Sequence, residues 1–137
     1  MKLVFADTAY WIARVKPDDQ WNKTAAQARN ALGPVRLLTT DEVLAEFLTA
    51  LGSGGERTRS LGVKMVRAIL ANPNVKVSAQ SRDSFLHGVD LYEQRFDKEY
   101  SLTDCISMNT MRAESVSDVL TADNHFEQEG FHVLMKK

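Results

Sequence analysis

The alternation of short apolar runs with longer amphipathic runs constrains the fold of this chain more than any other feature of its sequence. Strands are predicted at residues 2–6, 35–40, 75–79, 118–122 and 131–135. The intervening spacing predicts helices at residues 8–15, 20–32, 41–51, 56–71, 82–96 and 104–114, and one helical turn at 124–129. Strands separated by helices pair in parallel through right-handed crossovers, so the pattern predicts an α/β sandwich around an open sheet.

The length of 137 residues fits one domain, residues 1–137, with a core of its own. No apolar run approaches the roughly 20 residues that a membrane-spanning helix needs, so no membrane association is expected. The single cysteine, Cys105, cannot form an internal disulfide, and no basic and then apolar leader precedes the first strand. These features predict a protein of the reducing cytoplasm.

Two predicted strands end on aspartates, at Asp7 and Asp123. In an open parallel sheet ligands bind at the edge formed by the carboxyl ends of the strands, so both carboxylates are expected there. Asp104 lies in the first turn of its predicted helix, on the same stripe as Met108 and Met111, and is expected to point inward. Taken alone, Asp104 is better explained as a helix cap and Asp123 as a turn residue. Asp7 is harder to explain in this way, because burying an unpaired carboxylate is costly.

Glu46 is the fourth candidate acid. It lies at the edge of the apolar stripe of the helix predicted at residues 41–51, whereas Glu42 falls nearly opposite that stripe and is expected to be solvated. Carboxylates that pack together repel one another unless they share a proton or bind a divalent cation. Oxygen ligands without histidine or cysteine favour Mg²⁺ or Mn²⁺ over zinc, so Asp7 is predicted to be a metal ligand.

Four segments then match a known pattern, in order and across nearly the whole chain. They are FADTAYWIA at residues 5–13, TTDEVLAEFLTAL at 39–51, SLTDCISMNTM at 101–111 and VLTADNHFEQEGF at 119–131. Together they resemble PIN-domain nucleases, and most closely the small bacterial and archaeal toxins of the VapC type. The resemblance implies a PIN-like three-layer sandwich, with a central parallel β-sheet of about five strands flanked by helices.

The resemblance also implies an acidic cleft that holds one or two Mg²⁺ or Mn²⁺ ions and cleaves single-stranded or loop RNA. By position, the family's catalytic acids fall on Asp7, Glu46, Asp104 and Asp123. Asp7, Asp104 and Asp123 are the expected metal ligands among them. These are the same four acids that the strand ends and helical stripes single out.

Beyond the acids, Thr8 and Thr121 stand where the family often has supporting hydroxyls, and Trp21 departs from the histidine that many members have at that place. The resemblance further implies a homodimer, and a small antitoxin protein that fills and blocks the cleft. Two alternatives stay open. One is a PIN-fold RNA-processing nuclease without an antitoxin, and the other is an inactive PIN-fold binding module, against which the intact set of four acids argues.

The formal net charge of −1 argues against RNA binding through bulk electrostatics alone. Setting aside the four site acids, however, leaves −1 + 4 = +3 for the rest of the chain. Arg57 and Lys64 share one face of their predicted helix, opposite the apolar residues Val63, Val66 and Leu70, and Arg67 lies to one side. These three basic residues are candidate contacts for RNA phosphates, although solvated basic faces are common.

His125 is close in sequence to the acidic set, because it follows Asp123 by two residues. Its position allows an approach to the cleft, but we predict a turn residue whose neighbour Phe126 packs inward. Cys105, beside Asp104, is predicted to be a small buried hydrophobe.

Two other phosphoryl-transfer classes have similar α/β sheets and fit this sequence poorly. Haloacid-dehalogenase phosphatases need a second aspartate two places after the first, and here that place is Ala9. Receiver domains need paired acids at the first strand end and a lysine at the last strand, whereas Lys136 and Lys137 follow the last predicted strand.

Overall fold

A five-stranded sheet forms the centre of the computed structural model, which describes residues 1–137. The strands are β1 Leu3–Ala6, β2 Arg36–Thr40, β3 Val75–Ser78, β4 Asp118–Leu120 and β5 His132–Val133. Their order in the sheet is β3-β2-β1-β4-β5, and every neighbouring pair is parallel. The prediction of an α/β fold with a parallel sheet of about five strands is therefore confirmed.

Seven helices connect these strands. They are α1 Thr8–Val15, α2 Asn22–Leu32, α3 Asp41–Leu51, α4 Gly55–Ala71, α5 Arg82–Gln94, α6 Leu102–Ala113 and α7 His125–Gln128. The observed bounds of α1 and α3 agree with the predicted ones, while α6 begins two residues earlier than predicted because Ser101 caps it. None of the seven helices combines the length and the apolar character that crossing a bilayer requires.

The position of β1 in the sheet determines where ligands can bind. β1 lies between β2 and β4, and Phe5 pairs with Leu38 on one side and Val119 on the other. The chain builds the sheet outward from β1 to β3 and then crosses back to β4, so the strand order changes direction between β1 and β4. The crevice outside the carboxyl ends of the strands at such a switch point is the usual binding site of an open α/β sheet.

One continuous hydrophobic cluster joins the sheet to the helices that cover it. Phe5 of β1, Phe47 of α3 and Met108 of α6 are all fully buried. Phe126 of α7 is fully buried as well, so this short helix is anchored although it has only four residues. The last two strands are shorter than predicted. β4 ends at Leu120, so Asp123 lies in the following loop and not directly at a strand end.

The predicted inner face of α4 is only partly right. Of the three apolar residues expected on that face, Val66 packs against the core, but Val63 and Leu70 are 39% and 57% exposed, and Gly62 and Ile69 are buried instead. At Gly62 the helix approaches α3 so closely that a Cβ atom would lie 2.8 Å from Leu51 Cδ1. Glycine has no apolar side chain, so the hydropathy pattern of the sequence could not mark Gly62 as part of the inner face of α4.

Candidate active site

Asp7 is buried at the carboxyl end of β1. It is the residue before α1, its residue is 5% exposed, and its amide donates a hydrogen bond to Leu120 O at 3.2 Å. Thr121 Oγ1 donates to Asp7 Oδ2 at 2.9 Å. Burial raises the pKa of Asp7 to about 7, a hydrogen bond from the Thr8 amide opposes that rise, and the charges of Asp104 and Glu46 add to it. Asp7 therefore holds its proton far more tightly than an ordinary aspartate.

Asp104 has a structural role and faces the acidic cluster as well. It is the third residue of α6 and completes a capping box, in which its amide donates to Ser101 Oγ at 3.0 Å and its Oδ2 accepts from the Ser101 amide at 3.1 Å. Burial raises the pKa of Asp104, and the charge of Asp123 raises it further, against hydrogen bonds from Ser101 and His125. The capping bonds leave Asp104 Oδ1 without a hydrogen-bond partner in the protein.

Glu46 projects from α3 towards the start of α1. Thr8 Oγ1 donates a hydrogen bond to Glu46 Oε1 at 2.5 Å, and Thr8 itself is buried. Glu46 is half-buried, and its charge contributes to the raised pKa of Asp7. Thr8 thus connects the first strand end, where Asp7 lies, with the helix that carries Glu46.

Asp123 lies in the loop between β4 and α7. Its amide donates to Thr121 Oγ1 at 3.1 Å, and its Oδ1 accepts from the His125 amide at 2.9 Å, which is a local turn arrangement. The side chain of Asp123 is 36% exposed, more than that of Asp104. The same threonine hydroxyl that donates to Asp7 therefore also accepts from the backbone of Asp123.

His125 is the site residue that the sequence did not identify. Its Nδ1 lies 3.2 Å from Asp104 Oδ2 and 3.3 Å from Asp123 Oδ1. Ligand atoms of Asp104, Asp123 and His125 all lie within 4.8 Å of one another, a spacing that suits a metal ion. Phe126 packs inward as predicted. The only signal for His125 in the sequence was its place between Asp123 and this inward-facing phenylalanine.

The structure links the four predicted acids through short polar contacts. Thr8 bonds to Glu46, Thr121 joins Asp7 to the backbone of Asp123, and His125 bridges Asp104 and Asp123. Asp7 is outside the group of ligand atoms within 4.8 Å and connects to it through Thr121 and through its repulsion with Asp104. Clustered carboxylate oxygens at the switch point of a parallel sheet can bind a hard divalent cation.

The predicted RNA-contacting residues lie apart from this network. Arg57, Lys64 and Arg67 are exposed on α4, and none of them forms an ion pair or a side-chain hydrogen bond. Lys136, a lysine after the last strand, forms no ion pair with these acids. Lys136 instead forms an ion pair with Glu127 on the surface.

Comparison with known proteins gives matches over nearly the whole chain. The family model for the PIN domain matches residues 4–131. The 23S rRNA-specific endonuclease VapC20, from two strains of Mycobacterium tuberculosis, is 26% identical over 129 residues, which are 94% of this chain and 95% of that protein.

Two solved structures are also similar. The crystal structure of M. tuberculosis VapC20, described as a sarcin-ricin loop cleaving toxin, has a TM-score of 0.83 and 25% identity, over 93% of this chain and 95% of that one. A toxin-antitoxin complex from Klebsiella pneumoniae has a TM-score of 0.59 and 16% identity, over 88% and 87% of the two chains. At that identity the second likeness concerns the fold alone.

Proposed function

Because this chain belongs to the PIN domain family and is of the VapC type, we propose that it is a divalent-cation-dependent endoribonuclease. The observation that carries the proposal is Asp7, a carboxylate buried at the switch point of the sheet beside the charges of Asp104 and Glu46. A buried carboxylate next to two others destabilises the cation-free fold, so its place here is better explained by a functional role than by a structural one.

The donor set fits Mg²⁺ or Mn²⁺. Burial first, and then the charges of Asp104 and Glu46, disfavour the ionised form of Asp7, and a divalent cation relieves both effects. Asp104 Oδ1 and Asp123 Oδ2 have no hydrogen-bond partners in the protein, so each carboxylate offers one oxygen to a cation. Asp104 and Asp123 would hold the ion together with Asp7, whose carboxylate lies outside their group of ligand atoms within 4.8 Å and would have to move closer to share the ion.

The reaction is hydrolysis of a phosphodiester bond. When bound, Mg²⁺ or Mn²⁺ polarises the phosphodiester and lowers the pKa of the attacking water. The hydrogen bond from Thr8 orients Glu46, whose Oε2 has no partner in the protein and accepts a proton from that water. The water oxygen bonds to phosphorus, the bond from phosphorus to the 3′ oxygen breaks, and that oxygen leaves as a hydroxyl after protonation by solvent. The products carry a 5′ phosphate and a 3′ hydroxyl.

The proposed substrate is a loop of structured RNA. VapC20 is named as specific for 23S rRNA, and its crystal structure as that of a toxin that cleaves the sarcin-ricin loop. By extension, an rRNA stem-loop is the first substrate to test for this chain. Arg57, Lys64 and Arg67 of α4 are proposed as phosphate contacts, since they are exposed and have no acidic partner in the protein.

The proposed protein partners are an antitoxin and a second copy of the chain. The similarity to VapC20, whose crystal structure is described as that of a toxin, favours an inhibitory antitoxin for this chain in the cytoplasm. Dimerisation is supported by an exposed apolar stripe on α5 and just beyond it, formed by Phe85, Val89, Tyr92 and Phe96. Arg82 at one end of this stripe and Asp97 at the other would face each other in an antiparallel pair.

Cleavage of a 5′-labelled rRNA stem-loop tests the proposed function. Purified protein should cut it in Mg²⁺ or Mn²⁺ and leave it intact in EDTA. Asp7→Asn and Asp104→Asn should lower the rate by at least the roughly 10- to 100-fold that losing a hydrogen-bonding partner of a metal ligand costs, since each removes a proposed ligand itself, while Asp90→Asn, an exposed acid of α5, should retain full activity. Equal degradation by all four proteins would mean a contaminating nuclease, and the proposal would fail.

A further inference from the structure

His125 is held between the acidic cluster on one side and a fixed aromatic ring on the other. Its Nδ1 lies within 3.3 Å of Asp104 Oδ2 and of Asp123 Oδ1. The ring of Tyr100 packs against the imidazole, with 5.2 Å between ring centroids and an interplanar angle of 56°. The Tyr100 hydroxyl in turn donates to Glu129 Oε2 at 2.9 Å.

Glu129 anchors Tyr100 because it is itself fully paired. Its side chain is 6% exposed, and it accepts hydrogen bonds from Arg95 Nε at 2.9 Å and from Arg112 at 2.8 Å. Burial opposes its ionisation, but these bonds and that from Tyr100 outweigh burial and lower the pKa of Glu129 to about 2. Burial and the Glu129 charge raise the pKa of Tyr100 to about 12. At neutral pH, Glu129 therefore stays ionised and Tyr100 keeps its hydroxyl proton, so the hydrogen bond between them is maintained.

The contacts of His125 fall on only one oxygen of each acid. Asp104 Oδ2 already accepts from the Ser101 amide, and Asp123 Oδ1 already accepts from the His125 amide. When the imidazole carries its proton on Nδ1, that proton lies between the same two oxygens. The contact therefore orients both carboxylates and leaves Asp104 Oδ1 and Asp123 Oδ2 free to bind a cation.

We propose that His125 is a positioning residue that sets the relative orientation of Asp104 and Asp123 for divalent-cation binding, and that Tyr100 acts through it. The inference rests on the proposed cation site, and it assigns His125 neither to the ligand set nor to the RNA. Hydrogen-bonding partners of metal ligands commonly contribute 10- to 100-fold to metal affinity. The side chains of Tyr100 and Glu129 form no hydrogen bond to an acid of the site, and Tyr100 contacts the imidazole directly. Tyr100 also precedes Ser101, whose amide donates to Asp104 Oδ2, so the double-mutant cycle below separates a route through the imidazole from a route through the backbone.

Calorimetric titration of RNA-free protein with Mn²⁺ measures this effect without any cleavage reaction. His125→Ala should weaken Mn²⁺ binding by about tenfold. His125→Asn, whose amide nitrogen can take the place of Nδ1, should stay within about threefold of wild type. Asparagine could instead offer its carbonyl oxygen to the metal, so a manganese atom within coordinating distance of residue 125 in crystals would identify a ligand and contradict the positioning role.

A double-mutant cycle tests the role of Tyr100. Tyr100→Leu should weaken Mn²⁺ binding in the wild-type background and have no further effect in the His125→Ala background, because residues that act in series are not additive. Leu61→Ala, which shortens an exposed apolar side chain of α4 outside the site and outside the α5 stripe, is the control and should bind Mn²⁺ as the wild type does. If Tyr100→Leu unfolds in EDTA, Tyr100→Phe provides the comparison, since it loses only the hydroxyl bond to Glu129.

Kinetics separate positioning from direct action on RNA. At saturating Mn²⁺, His125→Ala should recover most of kcat, with KM for RNA unchanged. An unchanged Mn²⁺ affinity in His125→Ala, a kcat that stays low at saturating Mn²⁺, or additive effects in the cycle would each overturn the inference. Failure of the wild type to bind Mn²⁺ would remove the proposed cation site as well, so the two failures are distinguishable.

Discussion

Thr121 Oγ1 donates a hydrogen bond of 2.9 Å to Asp7 Oδ2, joining the loop after β4 to the end of β1. The bond is one of the few favourable contacts of a carboxylate that burial and two nearby acids destabilise. The hydrogen bond from Thr121 does not offset the effect of burial on Asp7, because the pKa of Asp7 stays near 7. Asp7 is therefore the residue at which the cost of the site to the fold is best measured.

Asp7→Asn should abolish nuclease activity and stabilise the cation-free protein. The pKa of Asp7 rises from 3.8 to about 7 on folding, so ionisation opposes folding. The penalty is absent below about pH 4, grows as pH rises to about 7, and then stays constant at roughly 4 kcal/mol. Denaturation in EDTA should show the variant more stable than the wild type by about 2–4 kcal/mol at about pH 8, and equal to it at about pH 4. A variant less stable than wild type at the higher pH would contradict this account of Asp7.

Glu129→Gln should destabilise the protein at neutral pH, and its effect on stability should depend on pH in the opposite sense to that of Asp7→Asn. The pKa of Glu129 falls from 4.5 to about 2 on folding, so its contribution is complete above about pH 4.5 and disappears as pH falls towards 2. Arg95 and Arg112 are partly exposed, which weakens the pairs by solvent screening, so we expect a decrease in stability of about 2 kcal/mol at pH 7. Urea denaturation measures this decrease in the free energy of unfolding. Glu127→Gln, which breaks only the surface pair with Lys136, should cost less than about 0.5 kcal/mol.

Replacing the three basic residues of α4 should weaken RNA binding without slowing the chemistry. In the variant with Arg57→Gln, Lys64→Gln and Arg67→Gln, KM should rise while kcat stays unchanged. The dependence of log KM on log salt should become shallower by about 0.7 for each phosphate of a single strand that the variant no longer neutralises. Lys23→Gln, on the exposed surface of α2, is the control. An unchanged KM and an unchanged salt dependence would mean that these three side chains do not contact the RNA.

Val89→Asp should convert a dimer into a monomer. Val89 lies at the middle of the exposed stripe of α5, where a two-fold axis would bring it against its own copy, so two aspartates would repel there. Light scattering after size exclusion should give twice the chain mass for the wild type and the chain mass for the variant. Leu70→Asp, at an exposed apolar position on α4, should leave the dimer intact. A monomeric wild type, or a dimeric Val89→Asp, would remove this interface.

Much of the fold could be predicted because local and tertiary signals agree. The apolar stripe of α3 and its cap, Thr40 Oγ1 accepting from the Val43 amide, specify the same helix, and the predicted and observed bounds coincide. Burial of Asp7 followed from its place after an apolar strand. Asp104 was predicted to be a possible helix cap and Asp123 a possible turn residue, and both make the corresponding hydrogen bonds. Both acids also face the acidic cluster.

The features of the fold and of the site that could not be predicted depend on interactions between residues far apart in the sequence or on hydrogen bonds that no periodic pattern encodes. β4 stops before Asp123 because the hydroxyl of Thr121 and the carboxylate of Asp123 bond to nearby amides in place of a ladder. His125 reaches Asp104 across 21 residues of sequence, and no periodicity relates the two positions. The inner face of α4 was misassigned because its closest approach to α3 occurs at Gly62.

Anomalous diffraction from crystals soaked in Mn²⁺ locates the cation without reference to activity, and so shows whether Asp7 and Asp104 bind it together. We expect a peak with carboxylate oxygens of Asp7 and Asp104 at about 2.1 Å, the distance typical of such small hard cations, and no peak in Asp7→Asn crystals. A fully occupied manganese elsewhere in the protein, or no peak within coordinating distance of Asp7 and Asp104 at millimolar Mn²⁺, would contradict it.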